Sequence, residues 1–282
     1  MRVLIVGGTS SLARALKPAL SEFAEVTTAG RTGCDFALDL GDPAAEIVLP
    51  TDIDVVVNTA ACAGGETFDE MLETESVNVL GLLKLCQSCT KAHVKQLVQV
   101  SSIFACLDES SRFYGMYSLS KRHSDEVARL YCSKFGLPIA ILRPSQFYGA
   151  GEATRRHQPF LSTIIDRAAN GEDILIQGSN DALRNFIHVD DVAVVTALLI
   201  RRKLEGTHVC MSAENVRYSE VAAAAIAAFG SRSTIRFVKD APDIPDNVFA
   251  FDDSLFRAVG YFPQISISRG MQLEAAYRKA SL

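Results

Sequence analysis

Tyr117 and Lys121 lie four residues apart in a run that predicts a helix. On a helix this spacing puts the phenol and the ammonium on one face, one turn apart. A free tyrosine has a pKa of about 10 and a free lysine about 10.4, so neither group exchanges protons readily near neutrality. A neighbouring ammonium lowers the pKa of the tyrosine and makes the phenol usable as a general acid or base. The pair is a candidate proton-transfer site, although chance also places a half-buried tyrosine beside a solvated lysine in many helices.

Short apolar runs alternate with longer helical runs around this pair. Apolar strands separated by helices predict a parallel sheet covered on both faces. The fold class is therefore α/β, a Rossmann-type doubly wound parallel sheet. Pro18 lies inside the first helical run and predicts a kink or an early end there. The predicted strands are 2–6, 26–29, 55–58, 96–101 and 139–142, and the predicted helices are 11–20, 66–92 (broken) and 115–135.

The rhythm changes after Gly149, where loops, short strands and an alanine-rich helix at 219–229 follow. We expect a dinucleotide-binding domain of residues 1–150 and 181–205. A smaller, discontinuous C-terminal substrate-binding domain would comprise residues 151–180 and 206–282. A ligand is then expected in the cleft between the domains, at the carboxyl ends of the strands.

The composition is that of an ordinary globular protein: 282 residues, 48% hydrophobic and 22% charged, with a formal net charge of -5. Proteins that bind nucleic acid or membrane surfaces usually show a concentrated basic footprint. The longest basic run here is Arg201-Arg202-Lys203. The first apolar run is too short for a signal peptide, and none approaches the roughly 20 residues of a membrane span. We therefore expect a cytoplasmic protein that binds neither nucleic acid nor membrane.

The seven cysteines favour reduced, buried thiols over a disulfide framework, because their number is odd and they are scattered through a long chain. Cys86 and Cys89 have the spacing of a redox or metal motif. They lie in an apolar helical run, however, and no second pair of complementary spacing accompanies them. We interpret them as packing residues on one helix face and expect no metal site.

A glycine-containing loop, Gly7-Gly8-Thr9-Ser10-Ser11-Leu12-Ala13, directly follows the first strand and opens a helix. A glycine at the first turn lets the backbone reverse tightly, and small residues let the helix N-terminus approach a pyrophosphate. Only one glycine of the usual G-x-x-G-x-x-G set is in place, since Ser10 and Ala13 occupy the other two positions. The position of the loop between the first strand and the first helix still predicts dinucleotide binding.

The end of the second predicted strand indicates which dinucleotide. Folds that bind NAD tend to place Asp or Glu there to hold the ribose 2′-hydroxyl. This chain has Gly30-Arg31-Thr32, and a guanidinium suits a 2′-phosphate. NADP is therefore preferred over NAD, unless Arg31 is merely a solvated loop residue. Asp39 and Leu40 follow and could cover the adenine ring.

These features together resemble the extended short-chain dehydrogenases/reductases, the NAD-dependent epimerase/dehydratase family that modifies nucleotide sugars. The resemblance covers essentially the whole chain. Besides the loop and the Tyr117/Lys121 pair, it rests on NTAA at 58–61, VNVLG at 77–81, VSSI at 100–103, LRPSQFYG at 142–149 and RNFIHVDDV at 184–192.

The resemblance implies that Tyr117 transfers the proton, that Lys121 binds the nicotinamide ribose and tunes Tyr117, and that Ser102 hydrogen-bonds the reacting oxygen. Ser102 is preferred to Ser101 because the family's catalytic hydroxyl lies three residues before the position held by Ala105. The loop and the resemblance together imply these cofactor contacts: Gly7, Thr9, Ser10, Ser11, Leu12, Arg31, Asp39, Leu40, Ala60, Ala61, Asn78, Lys121, Pro144 and Phe147.

On the substrate side, the resemblance implies contacts from Ile103 and Gln146, and a charge-assisted contact from Arg184 to the diphosphate of a nucleotide-diphosphate sugar. Arg155 and Arg156 are candidates for a second phosphate contact, or else solvated loop residues. His188, Asp190 and Asp191 are expected to order a turn and to cap the next helix. A homodimer is also implied, through the helix of Tyr117 and the helix near 75–92, where Val79, Leu82, Leu83 and Leu85 are compatible apolar positions.

The sequence departs from the family at two places. Ile103-Phe104 follows Ser102 where the dehydratases carry an acidic pair, so elimination of water is not expected. The stretch from Ser102 to Tyr117 is about ten residues shorter than is typical of the family, which puts carried-over substrate contacts in doubt.

Three functions are compatible with the sequence. The leading one is an NADPH-dependent reductase of a 4-keto-6-deoxy hexose linked to a nucleotide diphosphate. The second is a nucleotide-sugar C4 epimerase that keeps NAD tightly bound. The third is a non-catalytic dinucleotide sensor or scaffold, which the reduced glycine content of the loop would tolerate.

Overall fold

The computed structural model describes residues 1–149, 151, 155 and 158–280. Contacts divide these residues into two compact units. The first consists of Met1–Pro144, Ala193–Cys210 and Asp253–Tyr261. The second consists of Ser145–Val192, Met211–Asp252 and the chain from Phe262 onward.

The first unit is built on a seven-stranded sheet in which every neighbouring pair is parallel. Its spatial order is β11-β6-β5-β4-β1-β2-β3, the order of a doubly wound sheet, so the predicted fold class is confirmed. The strands are β1 (Arg2–Val6), β2 (Glu25–Gly30), β3 (Phe36–Ala37), β4 (Val55–Asn58), β5 (Gln96–Val100), β6 (Ile139–Pro144) and β11 (Gly206–Cys210).

The register of the sheet aligns the carboxyl ends of its central strands. Val6 pairs with both Ala29 and Asn58, and Asn58 pairs with Gln99. The central strands are buried almost completely, which explains why their sequences are apolar throughout. The loops that leave this edge therefore start from nearly the same level.

Helices cover both faces of this sheet. The helices of the first unit are α1 (Ser11–Ser21), α2 (Phe68–Glu75), a π-helical segment (Ser76–Gly81), α3 (Leu82–Lys91), a 3₁₀ turn (Ile103–Cys106), α4 (Met116–Phe135), part of α6 (Val189–Arg201) and α8 (Ser254–Val259). The predicted break within 66–92 is the π-helical segment. The early end predicted at Pro18 is wrong, since α1 continues to Ser21.

The second unit contains three small two-stranded sheets and helices around its own core. Its elements are β7 (Gln146–Tyr148), α5 (Pro159–Asn170), β8 (Ile174–Gln177), β9 (Leu183–Arg184), β10 (Phe186–His188), β12 (Val216–Arg217), α7 (Tyr218–Phe229), β13 (Ile235–Val238) and α9 (Ile267–Ala280).

The observed units differ from the predicted domain bounds in both directions: β11 and α8 belong to the first unit, whereas β7, β9 and β10 belong to the second. β11 lies outside the predicted dinucleotide-binding domain, yet it pairs with β6 along its whole length. α8 belongs to the same unit. β11 lacks the apolar pattern of a buried strand, because its first residues are exposed and only Cys210 is fully buried.

The apolar residues suggested for a dimer interface are mostly core residues. Val79 is 3% exposed and Leu82 and Leu85 are 0% exposed, while Leu83 is half-buried. Exposed apolar side chains do occur nearby, at Leu80, Leu119 and Leu130. The homodimer itself stays a prediction.

Among the described residues, no helix is long and apolar enough to cross a membrane. Within the same part of the chain, no three His, Cys, Asp or Glu side chains are grouped so that they could hold a metal ion. Cys86 and Cys89 are both fully buried in α3.

Gly81 should tolerate no larger residue, because a Cβ there would lie 2.5 Å from the carbonyl oxygen of Leu40. We expect Gly81→Ala to lower the free energy of unfolding by about 1–2 kcal/mol, since overpacking outweighs the gain in helix propensity. Urea unfolding measures this. Gly115→Ala is the matched control, as a Cβ there meets nothing within 4 Å. Equal stability of the two variants would contradict the close approach at Gly81.

Candidate active site

The loop after β1 is shaped by a close approach of two backbone segments. Gly7 has φ 81°, which favours glycine. A Cβ at Gly7 would lie 2.6 Å from the backbone nitrogen of Ala60 and 2.9 Å from Thr59 Oγ1. Thr59 Oγ1 also donates a hydrogen bond to the carbonyl oxygen of Val6, at 2.9 Å. The first glycine of the motif is therefore required by the packing of β1 against the loop after β4.

Ser10, in contrast, fills its position without strain. Its φ is -65°, and it is the N-cap of α1, where its hydroxyl accepts from the Ala13 amide at 3.1 Å. Ser10 Oγ is also 2.9 Å from Thr59 Oγ1. The second motif glycine is dispensable here because the serine caps the helix.

The N-terminus of α1 retains the features that favour an anion. The backbone amides of Ser11 and Leu12 lie in the first turn of α1, where no carbonyl of the helix is available to accept from them. They are therefore not used in the hydrogen bonds of the helix. The Leu12 and Ala13 side chains are buried and anchor the first turn to the core, whereas Thr9 is exposed. This terminus can accept a pyrophosphate through backbone amides and the helix dipole.

At the end of β2 an arginine is exposed, whereas the first carboxylate after the strand is engaged in internal hydrogen bonds. Arg31 is exposed. Asp35, the first carboxylate after the strand, turns back on β2 and accepts from the amide and the hydroxyl of Thr28, both at 2.8 Å. These hydrogen bonds with Thr28 lower the pKa of Asp35 below its usual value. The sequence has no acid at the strand end, and the carboxylate of Asp35, which follows, is already hydrogen-bonded to Thr28.

The suggestion that Asp39 and Leu40 cover an adenine ring needs correction for Leu40. Its side chain is 5% exposed and belongs to the core cluster of the first unit. Leu40 packs on Gly81, so it is not available to a ligand. Asp39 is exposed, and its carboxylate accepts from the Gly41 amide at 2.9 Å.

Asn78 lies in the π-helical segment and joins three parts of the first unit. Its Oδ1 accepts from the Cys62 amide at 2.8 Å, and its Nδ2 donates to the Cys62 carbonyl at 2.8 Å and to Ser120 Oγ at 2.9 Å. The Asn78 side chain thereby fixes the backbone just after Ala60 and Ala61 against α4. Ala61 is exposed beside this anchored backbone.

Ser102 and Tyr117 come together at the end of β5. Ser102 is the N-cap of the 3₁₀ turn, and its hydroxyl accepts from the Phe104 amide at 3.2 Å. Ser102 also interacts with the Tyr117 phenol and acts to lower its pKa, against the larger effect of burial. Ser101 is 3% exposed and lies against Asp125 instead. The two serines therefore serve opposite sides of the strand end, as alternation along a strand requires.

Lys121 is fully buried one turn after Tyr117. Its Nζ donates to the Val100 carbonyl at 3.1 Å and is 5.8 Å from the centroid of the Tyr117 ring. Burial lowers the pKa of Lys121 to about 8, although the charge of Asp125 opposes this shift. Lys121 is therefore a group that titrates close to the physiological range.

The pKa of Tyr117 differs from the sequence-based expectation. Burial raises the pKa of the phenol, the hydrogen bond with Ser102 lowers it, and the negative charge of Asp125 raises it further. The pKa of Tyr117 is therefore raised rather than lowered, because burial is the largest influence on it. Near neutrality the phenol is thus protonated and set up as a proton donor.

Phe104, rather than Ile103, is the residue beside the tyrosine. The Phe104 and Tyr117 rings meet edge to face, with centroids 6.4 Å apart. Ile103 is 2% exposed, so its expected contact with substrate stays a prediction. An aromatic side chain thus occupies the place of the second acid of the dehydratases.

The short segment between Ser102 and Tyr117 is held down by α4. Arg122 donates through Nε to the Ala105 carbonyl at 3.2 Å and through a second nitrogen to the Leu107 carbonyl. Its guanidinium also lies 5.3 Å from the Tyr114 ring centroid. These contacts give the shortened segment a defined course.

The remaining predicted site residues lie at the end of β6 and in the second unit. Pro144 is buried at the end of β6, and Gln146 and Phe147 are half-buried in β7. Gln146 Nε2 donates to Gln158 Oε1 at 3.2 Å, while Gln146 Oε1 has no hydrogen-bond partner.

Arg184, the expected diphosphate contact, is buried within the second unit, and that contact stays a prediction. It is 3% exposed, and its Nη1 donates to the carbonyls of Leu183 and Pro245 at 2.7 and 2.9 Å. The guanidinium also lies over the Tyr218 ring, 5.0 Å from the centroid. Its burial and these internal contacts make a structural role the simpler interpretation.

The other charged candidates of the second unit are also engaged internally. Arg155 pairs with Asp166 at 2.6 Å, and Arg156 lies outside the described residues. His188 Nδ1 accepts from the Asp190 amide at 3.2 Å, and the Asp191 carboxylate accepts from the amides of Gln264 and Ile265. The turn-ordering role expected for this segment agrees with these contacts.

The sequence reasoning missed Asp125 and Arg143. Asp125 lies one turn after Lys121 and is 0% exposed, and its Oδ2 accepts from Arg143 Nε at 2.8 Å. The four-residue spacing of Tyr117, Lys121 and Asp125 along one helix face was the available signal.

We expect Ser10→Ala to cost about 1 kcal/mol in the free energy of unfolding, because it removes the N-cap of α1. Urea unfolding gives the value, and Ser21→Ala at the exposed far end of the same helix is the control. Unchanged stability of Ser10→Ala would show that the cap does not support the loop.

The chain matches the family model described as NAD dependent epimerase/dehydratase family over residues 3–211. A dTDP-4-dehydro-6-deoxy-D-allose reductase of a Streptomyces species is 26% identical over 211 residues, covering 69% of this chain and 65% of that protein. The chain spans about half to three quarters of the length of the curated relatives it matches, from 54% to 75% for the first three.

Solved structures share the fold at lower identity. RMD from Pseudomonas aeruginosa, complexed with NADPH, has a TM-score of 0.82 and 16% identity, covering 100% of this chain and 99% of that one. The UDP-glucose 4-epimerase of Thermus thermophilus, in complex with NAD, has a TM-score of 0.78 and 22% identity, with 100% coverage of both chains. By the family match and the shared fold, the chain belongs to the NAD dependent epimerase/dehydratase family of extended short-chain dehydrogenases/reductases.

Proposed function

We propose that the chain reduces a keto group of a nucleotide-diphosphate sugar with NADPH, most specifically the 4-keto group of a 6-deoxy hexose. The observation that carries this proposal is the arrangement of Ser102, Tyr117 and Lys121 at the end of β5. A protonated phenol beside a serine hydroxyl is suited to binding a carbonyl oxygen and protonating it as charge develops there.

A nicotinamide dinucleotide would supply the hydride when bound. The described residues fit such a group, because Gly7 with its positive φ makes the tight turn that leads into α1 and the first amides of α1 are unused by the helix. Gly7, Thr9, Ser10, Ser11 and Leu12 are the proposed pyrophosphate contacts. Further proposed contacts of the dinucleotide are Asp39, Ala60, Ala61, Asn78, Lys121, Pro144 and Phe147.

Within the site, each residue has one task. Tyr117 donates the proton to the reacting oxygen, and Ser102 orients that oxygen by a second hydrogen bond. Lys121 supplies positive charge below Tyr117, which stabilises the phenolate left after proton transfer. Asn78 keeps the backbone after β4 in register with α4, so the binding surface beside Ala61 stays in place.

The preference for NADP rests on Arg31. This exposed guanidinium stands at the end of β2, and the nearest carboxylate, Asp35, is occupied by Thr28. A 2′-phosphate would gain a charge-assisted contact with Arg31, whereas the first carboxylate after β2, Asp35, is hydrogen-bonded to Thr28.

The preference for simple reduction rests on Phe104. Elimination of water from a sugar needs an acid or base beside the tyrosine, and the Phe104 ring occupies that place. An apolar ring also suits a substrate whose C6 is already a methyl group. The similarity to a Streptomyces protein named as a 4-dehydro-6-deoxy sugar reductase supports the same class of reaction.

The function is tested with the purified protein and a panel of nucleotide-linked 4-keto-6-deoxy sugars, with oxidation of NADPH followed at 340 nm. We expect consumption of NADPH in proportion to the sugar reduced. Absence of consumption with both NADPH and NADH would overturn the proposal. Stoichiometric NAD released from the protein as purified would point to a C4 epimerase instead.

Replacing Tyr117 with Phe removes the proton donor and leaves the ring. We expect kcat to fall by about 10²–10⁴-fold while the Kd for NADPH stays nearly unchanged. Tyr114→Phe is the matched control and should keep its activity, since Tyr114 stacks on Arg122 rather than on Ser102. Retained turnover in Tyr117→Phe would exclude this tyrosine as the donor.

Replacing Arg31 with Ala tests the cofactor preference. We expect the Kd for NADPH to rise by about 10–100-fold, as for a lost charge-assisted hydrogen bond, with little change for NADH. Fluorescence titration with each nucleotide measures this. Arg232→Ala, at an exposed loop of the second unit, is the control. Equal losses for the two nucleotides would refute recognition of the 2′-phosphate.

A further inference from the structure

A buried ion pair lies directly behind Lys121 and has no part in the proposed reaction. The Asp125 side chain is 0% exposed and that of Arg143 is 18% exposed, with 2.8 Å between Oδ2 and Nε. Arg143 reaches this pair from β6, and its Nη1 also donates to Cys106 Sγ at 3.3 Å. Two oppositely charged side chains are thus paired in the interior of the first unit.

Such a pair is not explained by stability alone. Removing two charges from water costs more than a single contact usually returns, and hydrophobic replacements of buried pairs are often neutral or stabilising. The second carboxylate oxygen, Asp125 Oδ1, also lacks a hydrogen bond of ordinary length, as does the nearby Ser101 Oγ. The site therefore keeps a carboxylate that is incompletely satisfied.

The position of Asp125 relates it to Lys121. Tyr117, Lys121 and Asp125 follow one another at four-residue intervals, so they share one face of α4. The hydrogen bond of Lys121 goes to the neutral carbonyl of Val100. Asp125 is then the anion that faces the buried ammonium from the next turn.

The other titratable or charged groups around Lys121 are few in the described part of the chain. Its own helix contributes Tyr117 and Asp125, β6 contributes Arg143, and the 3₁₀ turn contributes Cys106 by way of Arg143. Burial lowers the pKa of Lys121, and Asp125 is the group that opposes this effect. Burial raises the pKa of Asp125 above its usual value, and Ser101, Arg143 and the charge of Lys121 oppose this effect only in part.

We propose that Asp125, paired with Arg143, is a positioning residue that keeps the Lys121 ammonium charged beneath Tyr117. Its effect on catalysis rests on the proposed function, whereas its effect on the charge of Lys121 does not depend on that function. Arg143 pairs with the carboxylate of Asp125. That carboxylate stabilises the ammonium form of Lys121, and the ammonium stabilises the phenolate form of Tyr117.

The direct test is the titration of Lys121 in the intact protein without substrate. Lysine labelled with ¹³C at the ε-carbon gives one NMR signal per side chain, and Lys121→Arg identifies the signal of Lys121. In Asp125→Asn we expect the Lys121 pKa to fall by about one pH unit, as for a unit charge removed from one helical turn away. Asp125→Glu retains the charge and should bring the pKa back toward the wild-type value.

A variant that leaves Arg143 unpaired in the interior can fail to fold. The double variant Asp125→Asn/Arg143→Met removes both charges and is expected to fold, because neither partner is left alone. Its Lys121 signal should also titrate at lower pH than in the wild type. An unchanged pKa of Lys121 in a folded variant lacking the Asp125 charge would overturn the proposal and leave the pair a purely structural role.

The catalytic consequence is measured separately. If Lys121 must be charged, the high-pH limb of the kcat profile should move to lower pH in Asp125→Asn by the same amount as the NMR pKa. An NMR shift without any turnover in the wild type would refute the proposed function and leave the charge coupling intact. A kcat that falls uniformly at all pH values, with no NMR shift, would refute the coupling and leave the function intact.

Discussion

The burial of the Lys121 ammonium against the carbonyl of Val100 is the contact on which the geometry of the site depends. It ties α4 to the end of β5, so the phenol one turn earlier meets the hydroxyl of Ser102. The same carbonyl also accepts from Gln99 Nε2, and Gln99 in turn accepts from Asn58 in the neighbouring strand. Polar side chains at this edge of the sheet thus connect the catalytic helix to the loop that passes the dinucleotide site.

The loop after β1 shows how a motif can lose glycines without losing its geometry. Only Gly7 has a positive φ in this loop, and only there does another backbone come within 2.6 Å of an added Cβ. Ser10 has ordinary helix-capping geometry, and its hydroxyl takes over one amide of the first turn. The reduced glycine content therefore gives no support to a non-catalytic interpretation of the fold.

Much of the fold could be predicted from the sequence, because strands buried on both faces must be apolar and the intervening helices must be long enough to cross over. The family motifs predicted which side chains gather near Tyr117. What they could not predict is which way each side chain points. At three positions that match the family, the side chains are buried: Leu40 and Ile103 pack in the interior, and Arg184 makes internal hydrogen bonds. Conversely, Asp125 and Arg143 are distant in sequence, and their pairing became evident only in three dimensions.

The central claim is that Tyr117, Ser102 and Lys121 serve net reduction of a sugar carbonyl. The most direct measurement uses NADPH carrying deuterium at C4 of the nicotinamide, with a nucleotide-linked 4-keto-6-deoxy hexose as substrate. The account predicts one deuterium at C4 of the product sugar for each NADPH oxidised, read by NMR or mass spectrometry. Epimerised sugar without deuterium, or no transfer to any sugar of the panel, would contradict it.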